Sequence, residues 1–231
     1  MLFDSDYKAL VLGASGAIGS AFVTAFEADP LCLLVERVSR SDCAGFDLID
    51  AASIERAAQA CASRGPYHVI IDATGALTID GVGPEKSLSA LQPESLARAF
   101  HLNAIGPALA LKHFSPLLAK GPSVYAKLSA RVGSITDNHK GGWYGYRASK
   151  AALNMLLQTA AIELQRKNPQ VRMVALQPGT VRSALSGPFT TGYPDLLEPA
   201  QSVAGMLAAL RNLQTKTGAR FVDHQGRDIP W

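Results

Sequence analysis

Apolar residues follow two rhythms along this chain. Short compact runs that stop at glycine or a polar cluster alternate with longer tracts in which apolar positions recur every three to four residues, as buried strands and helices do. KALVLG (8–13) predicts a strand, and AIGSAFVTAFEA (17–28) after a glycine-rich turn predicts a helix. LCLLVERVS (31–39), which follows Pro30, predicts a second strand, and FDLI (46–49) is a third short apolar segment. AASIERAAQACAS (51–63) is alanine-rich and helical, with Asp50 placed to cap it. HVIIDATG (68–75) repeats the strand-to-turn pattern. A long helical tract over 93–119 starts at Pro93, and strands over 123–129, 171–179 and 219–224 alternate with helices over 147–167 and 198–213.

Strands apolar on both faces and separated by helices argue for a parallel sheet covered on each side. The expectation is α/β: one Rossmann-type doubly wound domain spanning 1–231, with a parallel sheet of about seven strands. Ligands of such sheets sit at the carboxyl ends of the strands, near the point where strand order reverses. The helix starting near Tyr146 carries two apolar stripes: Leu153, Leu157, Ala160 and Leu164 on one side, and Ala152, Met155, Thr159 and Ile162 on the other. One stripe suffices to cover the sheet. The other predicts a homodimer or homotetramer built through helices at 104–119 and 147–166.

Composition narrows the classes. A length of 231 residues with 48% hydrophobic content suits one domain with a sizeable core. The net charge of +3, without a run of like charges, argues against a nucleic-acid surface. Cys32, Cys43 and Cys61 lack disulfide or zinc spacing and read as small buried hydrophobes. His68, His101, His113, His139 and His224 show no metal-ligand spacing, so no metal is expected. The acidic N-terminal stretch does not read as a secretory signal, and no apolar segment reaches eighteen residues. The expected location is the cytoplasm, away from membranes.

Candidate chemistry collects at the predicted strand ends. Gly13, Gly16 and Gly19 in GASGAIG allow a tight turn and close approach of backbone N–H groups to a pyrophosphate, with Ser15 adding a hydroxyl. Glycine-rich turns also serve plain strand-to-helix connections. At the tip of the second strand, Ser39 and Arg40 favour the 2′-phosphate of NADP(H) over NAD(H), although Glu36 competes if the strand ends earlier. Asp47, with Leu48 beside it, is placed to accept from an adenine amino group, or else serves turn chemistry. In WYGYRASK (143–150), Tyr146 and Lys150 lie four apart on one helix face, whereas Tyr144 falls before the helix. An ammonium near the phenol lowers its pKa from about 10 and readies it for proton transfer.

GASGAIG, Asp47, DATG (72–75), NAIG (103–106), YRASK (146–150) and PGTVRS (178–183) together resemble the short-chain dehydrogenase/reductase superfamily, in family order and over almost the whole chain. LSARVGSITDN, GGWYGYRASKAALNML and the terminal DHQGRDIPW resemble its C-factor branch and that branch's carbonyl-reductase relatives. The resemblance implies Tyr146 as general acid/base, Lys150 as the residue that lowers its pKa and holds the nicotinamide ribose, and Asn103 as organiser of a water near the lysine. It implies Val181 for the carboxamide, Ser183 in place of the usual threonine, and Ala73 and Gly75 near the adenosine ribose. Ala17, Ile18, Thr74, Pro178 and Gly179 fall in the same cofactor-binding segments.

Three departures stand out. Ala17 replaces a glycine of the usual loop, and DATG replaces NNAG, removing two asparagines that brace the central strand. Residue 130, the family's catalytic serine position, is Ala130. Ser129 is the first candidate for the missing hydroxyl, Ser134 the second, and no serine at all the third; a regular strand would aim Ser129 to the opposite face unless a bulge or early strand end intervenes. Trp143 and Tyr144 are candidate pocket residues, and GPFTTGYPD (187–195) a candidate flap. The expected function is NADP(H)-dependent interconversion of a small-molecule carbonyl and its alcohol. The second reading is a cofactor-binding regulatory or signalling protein with little catalysis, to which Ala130 and DATG lend support.

Overall fold

The computed structural model describes residues 2–42, 45–183 and 196–231. In chain order its principal elements are β1 (Tyr7–Leu12), α1 (Ala17–Glu27), β2 (Cys32–Val38), α2 (Ala51–Ala62), β3 (Val69–Asp72), α3 (Pro93–Phe100), α4 (Gly106–Phe114), β4 (Ser123–Leu128), α5 (Tyr144–Lys167), β5 (Val171–Gln177), α6 (Pro199–Asn212) and β6 (Arg220–Asp223). The six strands are all parallel, in the order β2-β1-β3-β4-β5-β6. Strand order reverses between β1 and β3, which opens a crevice at their carboxyl ends.

Each face of the sheet has its own core. Leu10, Leu12, Ile70 and Tyr125 pack with Ile54 of α2, Phe114 of α4 and Leu157 of α5. Ala9, Val11, Ile71 and Val124 pack with Phe22 and Phe26 of α1 and Met206 of α6. Adjacent strand residues thus bury on opposite sides, which is why the strands read as continuous apolar runs.

Three boundaries differ from expectation. The segment 46–49 joins no strand among the described residues. Asp47 N–H donates to Ser53 Oγ (2.9 Å), and Ser53 Oγ contacts Asp47 O (2.9 Å), so this backbone is tied to the first turn of α2 while Phe46 and Leu48 plug into the core. The sheet therefore has six described strands rather than about seven. The helical tract over 93–119 is interrupted by a π-helical turn at His101–Ile105. Finally, α5 begins at Tyr144, so Tyr144 belongs to its first turn and is exposed.

On α5, Leu153 and Leu157 bury against the sheet while Met155, Leu156 and Ile162 are exposed in the single chain, as is Ile105 in the π turn. Cys61 is buried and Cys32 half-buried; Cys43 lies outside the described residues. Among the described residues, no helix is long and apolar enough to cross a membrane.

Candidate active site

The glycine turn after β1 is built by close approach. Gly13 takes φ +76°, and a Cβ there would stand 3.0 Å from the carbonyl carbon of Ala73 at the end of β3. Only glycine lets the two strand ends meet this way. Gly16 is the extended N-cap of α1 and offers no side-chain cap, and Ala17 is the first helical residue. Because Ala17 already has helical geometry, the loop closes without the family's glycine there. The turn can present backbone N–H groups of α1 to an anion, with Ser15 exposed beside it.

Ser39 directly follows β2, and its hydroxyl donates to Asp42 Oδ2 (2.5 Å). Arg40 is exposed beside it, and Arg37 Nε stands 3.7 Å from Asp42. Glu36 lies two residues before the strand end, opposite Leu10, and its carboxylate accepts from Arg64 (2.6 Å). Burial raises the Glu36 pKa and Arg64 opposes the rise. Glu36 is thus a mid-strand group away from the tip. Asp42 is the carboxylate that sequence reading overlooked there. Asp47 is exposed, and its carboxylate accepts from Ile49 N–H (3.0 Å), an Asx turn. Neighbouring Leu48 is a core residue.

Under the crevice, β3 and β4 contribute an ion pair. Asp72 closes β3 in register with Lys127 of β4, and Lys127 Nζ donates to Asp72 Oδ1 (2.8 Å), Thr74 O (2.6 Å) and Thr74 Oγ1 (2.9 Å). Thr74 Oγ1 donates in turn to Asp72 Oδ1 (2.5 Å). Both charged groups are fully buried. The bracing expected to be lost with NNAG is therefore supplied by a charge pair. Its one sequence signal was a lysine inside an otherwise apolar strand, SVYAKL.

The turn held by Lys127 brings the catalytic candidates together. Gly75 has φ +136°, and a Cβ there would lie 3.1 Å from Asn103 Oδ1 and 3.4 Å from Lys150 Nζ. The π turn sets Asn103, wholly buried, so that Ala76 N–H donates to its Oδ1 (2.9 Å) and its Nδ2 donates to Ala76 O (2.9 Å). π turns are frequent at functional sites. Lys150 Nζ donates to Leu128 O (3.3 Å) and lies 5.7 Å from the centroid of the Tyr146 ring. Burial, reinforced by Lys127 and opposed by Asp72, pushes the Lys150 pKa down to about 7. Burial pushes Tyr146 up to about 12. The expected lowering of Tyr146 is thus absent in the chain by itself: burial sets the direction of its shift, with Lys150 Nζ 5.7 Å from the ring centroid.

Ser129 directly follows β4, whose register with β5 carries no bulge. Its N–H donates to Leu176 O (2.8 Å), and its hydroxyl donates to Asn154 Oδ1 of α5 (2.6 Å). Ala130 is extended, and Ser134 accepts from Asp137 N–H (3.0 Å). Ser129, unlike Ser134, lines a cavity of about 440 Å³ together with Ile18, Trp143, Tyr146, Gly179 and Val181. Pro178 and Ser183 complete the same wall, and the hydroxyl of Ser202 fixes the segment by donating to Pro178 O (2.6 Å). The candidate flap, 187–195, lies outside the described residues. Among the described residues no cluster of His, Cys, Asp or Glu is placed to hold a metal.

Gly13 and Gly75 are held by contacts within the chain, whereas Gly16 and the exposed Ser15 leave the turn open at the start of α1, and Ile18, Tyr146, Pro178, Gly179, Val181 and Ser183 line one cavity beyond it. These residues fit a dinucleotide laid across the strand ends. Residues 7–193 match the family model described as short chain dehydrogenase. C-signal of Myxococcus xanthus is 34% identical over 168 residues, covering 72% of this chain and 94% of that protein. The 1-hydroxy-2-glutathionyl-2-methyl-3-butene dehydrogenase of Rhodococcus sp. is 30% identical over 188 residues, covering 81% and 79%. In fold, the chain is similar to NADPH-bound carbonyl reductase from chicken fatty liver, with a TM-score of 0.85 at 24% identity over 98% of this chain and 95% of that one. The chain belongs to the short-chain dehydrogenase family of nicotinamide-dependent oxidoreductases.

Proposed function

We propose that the chain is an NADP(H)-dependent enzyme that interconverts a ketone or aldehyde with its alcohol. The observation that carries this reading is that Asn103 and Lys150 meet at the Gly75 turn, with Lys150 Nζ 5.7 Å from the ring of Tyr146, which lines the cavity shared with Pro178, Gly179, Val181 and Ser183. A nicotinamide held there would supply or accept the hydride. Tyr146 donates a proton to the carbonyl oxygen, and Lys150 stabilises the phenolate that remains. Asn103 holds the Ala76 backbone and so fixes the approach to Lys150. Gly13, Ser15, Gly16, Ala17, Ile18 and Gly19 take the pyrophosphate side, Ala73, Thr74 and Gly75 the ribose side, and Val181 and Ser183 the carboxamide side. Asp47 and Leu48 border the adenine side.

NADP(H) preference rests on Arg40 and Arg37 at the β2 tip, where Asp42 is already engaged by Ser39 and Arg37. The NADPH-bound carbonyl reductase that shares the fold lends it support. Titration with NADPH and NADH, in the native chain and in Arg40→Ala, followed by an absorbance assay on a panel of carbonyl compounds, tests both cofactor and reaction. An unchanged preference in Arg40→Ala removes that residue from the assignment. A homodimer or homotetramer through α4 and α5 is part of the proposal, because Ile105, Met155 and Ile162 are exposed there; a monomeric mass in light scattering contradicts it.

A second reading, a cofactor-binding regulator with little catalysis, draws on Ser129: its hydroxyl is given to Asn154, and Ala130 has none to offer. Tight NADPH binding with no turnover of any carbonyl would favour it.

A further inference from the structure

Tyr146 stands between two cavities of opposite charge. One, of about 370 Å³, is lined by Asp80, Glu85 and Glu94, with Arg98 joined to Asp80 at 2.6 Å. The other is the cavity of about 440 Å³ walled by Pro178, Gly179, Val181 and Ser183; among the described residues its charged lining is Arg131, Lys140 and Arg147, with no carboxylate.

These three cations are not equally neutralised. Arg131 has Asp137 at 3.6 Å and Asp223 at 3.4 Å. Lys140 makes no ion pair among the described residues. Among the described residues Arg147, half-buried beside Tyr146 in the sequence, donates only to main-chain carbonyls: Nε to Gly142 O (2.9 Å) and Gly141 O (3.2 Å), Nη2 to Gly141 O (3.1 Å) and Nη1 to Val132 O (3.3 Å). A guanidinium has five N–H groups, and this pattern uses the Nε–H and one hydrogen on each terminal nitrogen. Two N–H groups and a whole positive charge are left on a fixed, partly desolvated fork. A cation held in that way is costly unless an anion meets it, and an Arg fork matches a carboxylate in particular.

We infer that the wall formed by Arg147 and Lys140 binds a carboxylate of the substrate, so that the enzyme acts on carbonyl compounds carrying an anionic group. The inference rests on Tyr146 being the proton donor at the same cavity. The acidic cavity on the other side of Tyr146 repels such a substrate and leaves one side from which the carbonyl approaches.

The test compares para-formylbenzoate with its methyl ester, which differ in charge and little in the reacting aldehyde. The expected kcat/KM is about tenfold or more higher for the carboxylate at low salt, a ratio that falls as salt rises and collapses in Lys140→Glu. A ratio near one, or one that Lys140→Glu leaves unchanged, overturns the inference. Benzoate and benzamide titrated into the NADPH complex read the same wall without catalysis. Preferential benzoate binding with neither aldehyde turned over would keep the anion site and sink the reductase reading. Equal binding of the two would sink the anion site, whatever the turnover.

Discussion

Lys127 and Asp72 face each other in register across β4 and β3, joined at 2.8 Å with both groups fully buried. A buried pair of this kind gains little over a well-packed neutral pair, but removing one partner strands the other charge. Lys127→Met should therefore cost about 3–5 kcal/mol, and Asp72→Asn a similar amount. The joint replacement Asp72→Asn with Lys127→Met should cost clearly less than the two single losses added together. Urea unfolding of the four proteins checks this double-mutant cycle; strict additivity would mean that the ion pair does not couple the two strands.

Gly75 brings Asn103 and Lys150 to one point because it lacks a Cβ and holds φ +136°. Gly75→Ala should destabilise the fold by about 2 kcal/mol through backbone strain. It should also lower turnover more than it weakens substrate binding, since the new methyl group pushes on both side chains. Thermal unfolding and steady-state kinetics on the same preparation separate the two effects. A variant with unaltered kcat would show that the turn does not set the geometry of Lys150.

Lys150 carries a stability cost with a definite sign. Its folded-state pKa is depressed to about 7, whereas an unfolded lysine titrates near 10.5. Between those values the unfolded chain binds the extra proton, so stability rises with pH across the window, and the full deficit is present below about 7. Lys150→Met should raise Tm by several degrees near pH 6.5 and by much less near pH 10, while abolishing turnover. Differential scanning calorimetry at the two pH values checks it; an equal shift at both would mean that the ammonium is not the destabilising group.

Much of the site was legible because its geometry is local. Tyr146 and Lys150 are one helical turn apart, and Gly13 follows a strand and opens a helix; in both cases spacing alone brings the groups together. The alternation of apolar runs likewise foretold the parallel, doubly wound sheet. What escaped depended on contacts between distant segments. Lys127 acquires meaning only from its register with Asp72. Segment 46–49 has the composition of a strand, but Ser53 takes its hydrogen bonds. Asn103 falls in a helical tract whose π turn no periodicity revealed. The direction of the Tyr146 shift failed for a similar reason: spacing predicts proximity to Lys150, whereas burial by the surrounding fold decides the balance.

The central claim is that Tyr146 transfers the proton at a site able to bind the nicotinamide without it. The most direct measurement is turnover of a carbonyl substrate by Tyr146→Phe, with NADPH affinity determined by fluorescence on the same protein. The account predicts NADPH binding within about twofold of the native chain and a loss of turnover of about a thousandfold, the scale of a missing general acid. Turnover within tenfold of native, with the cofactor still bound, would contradict it.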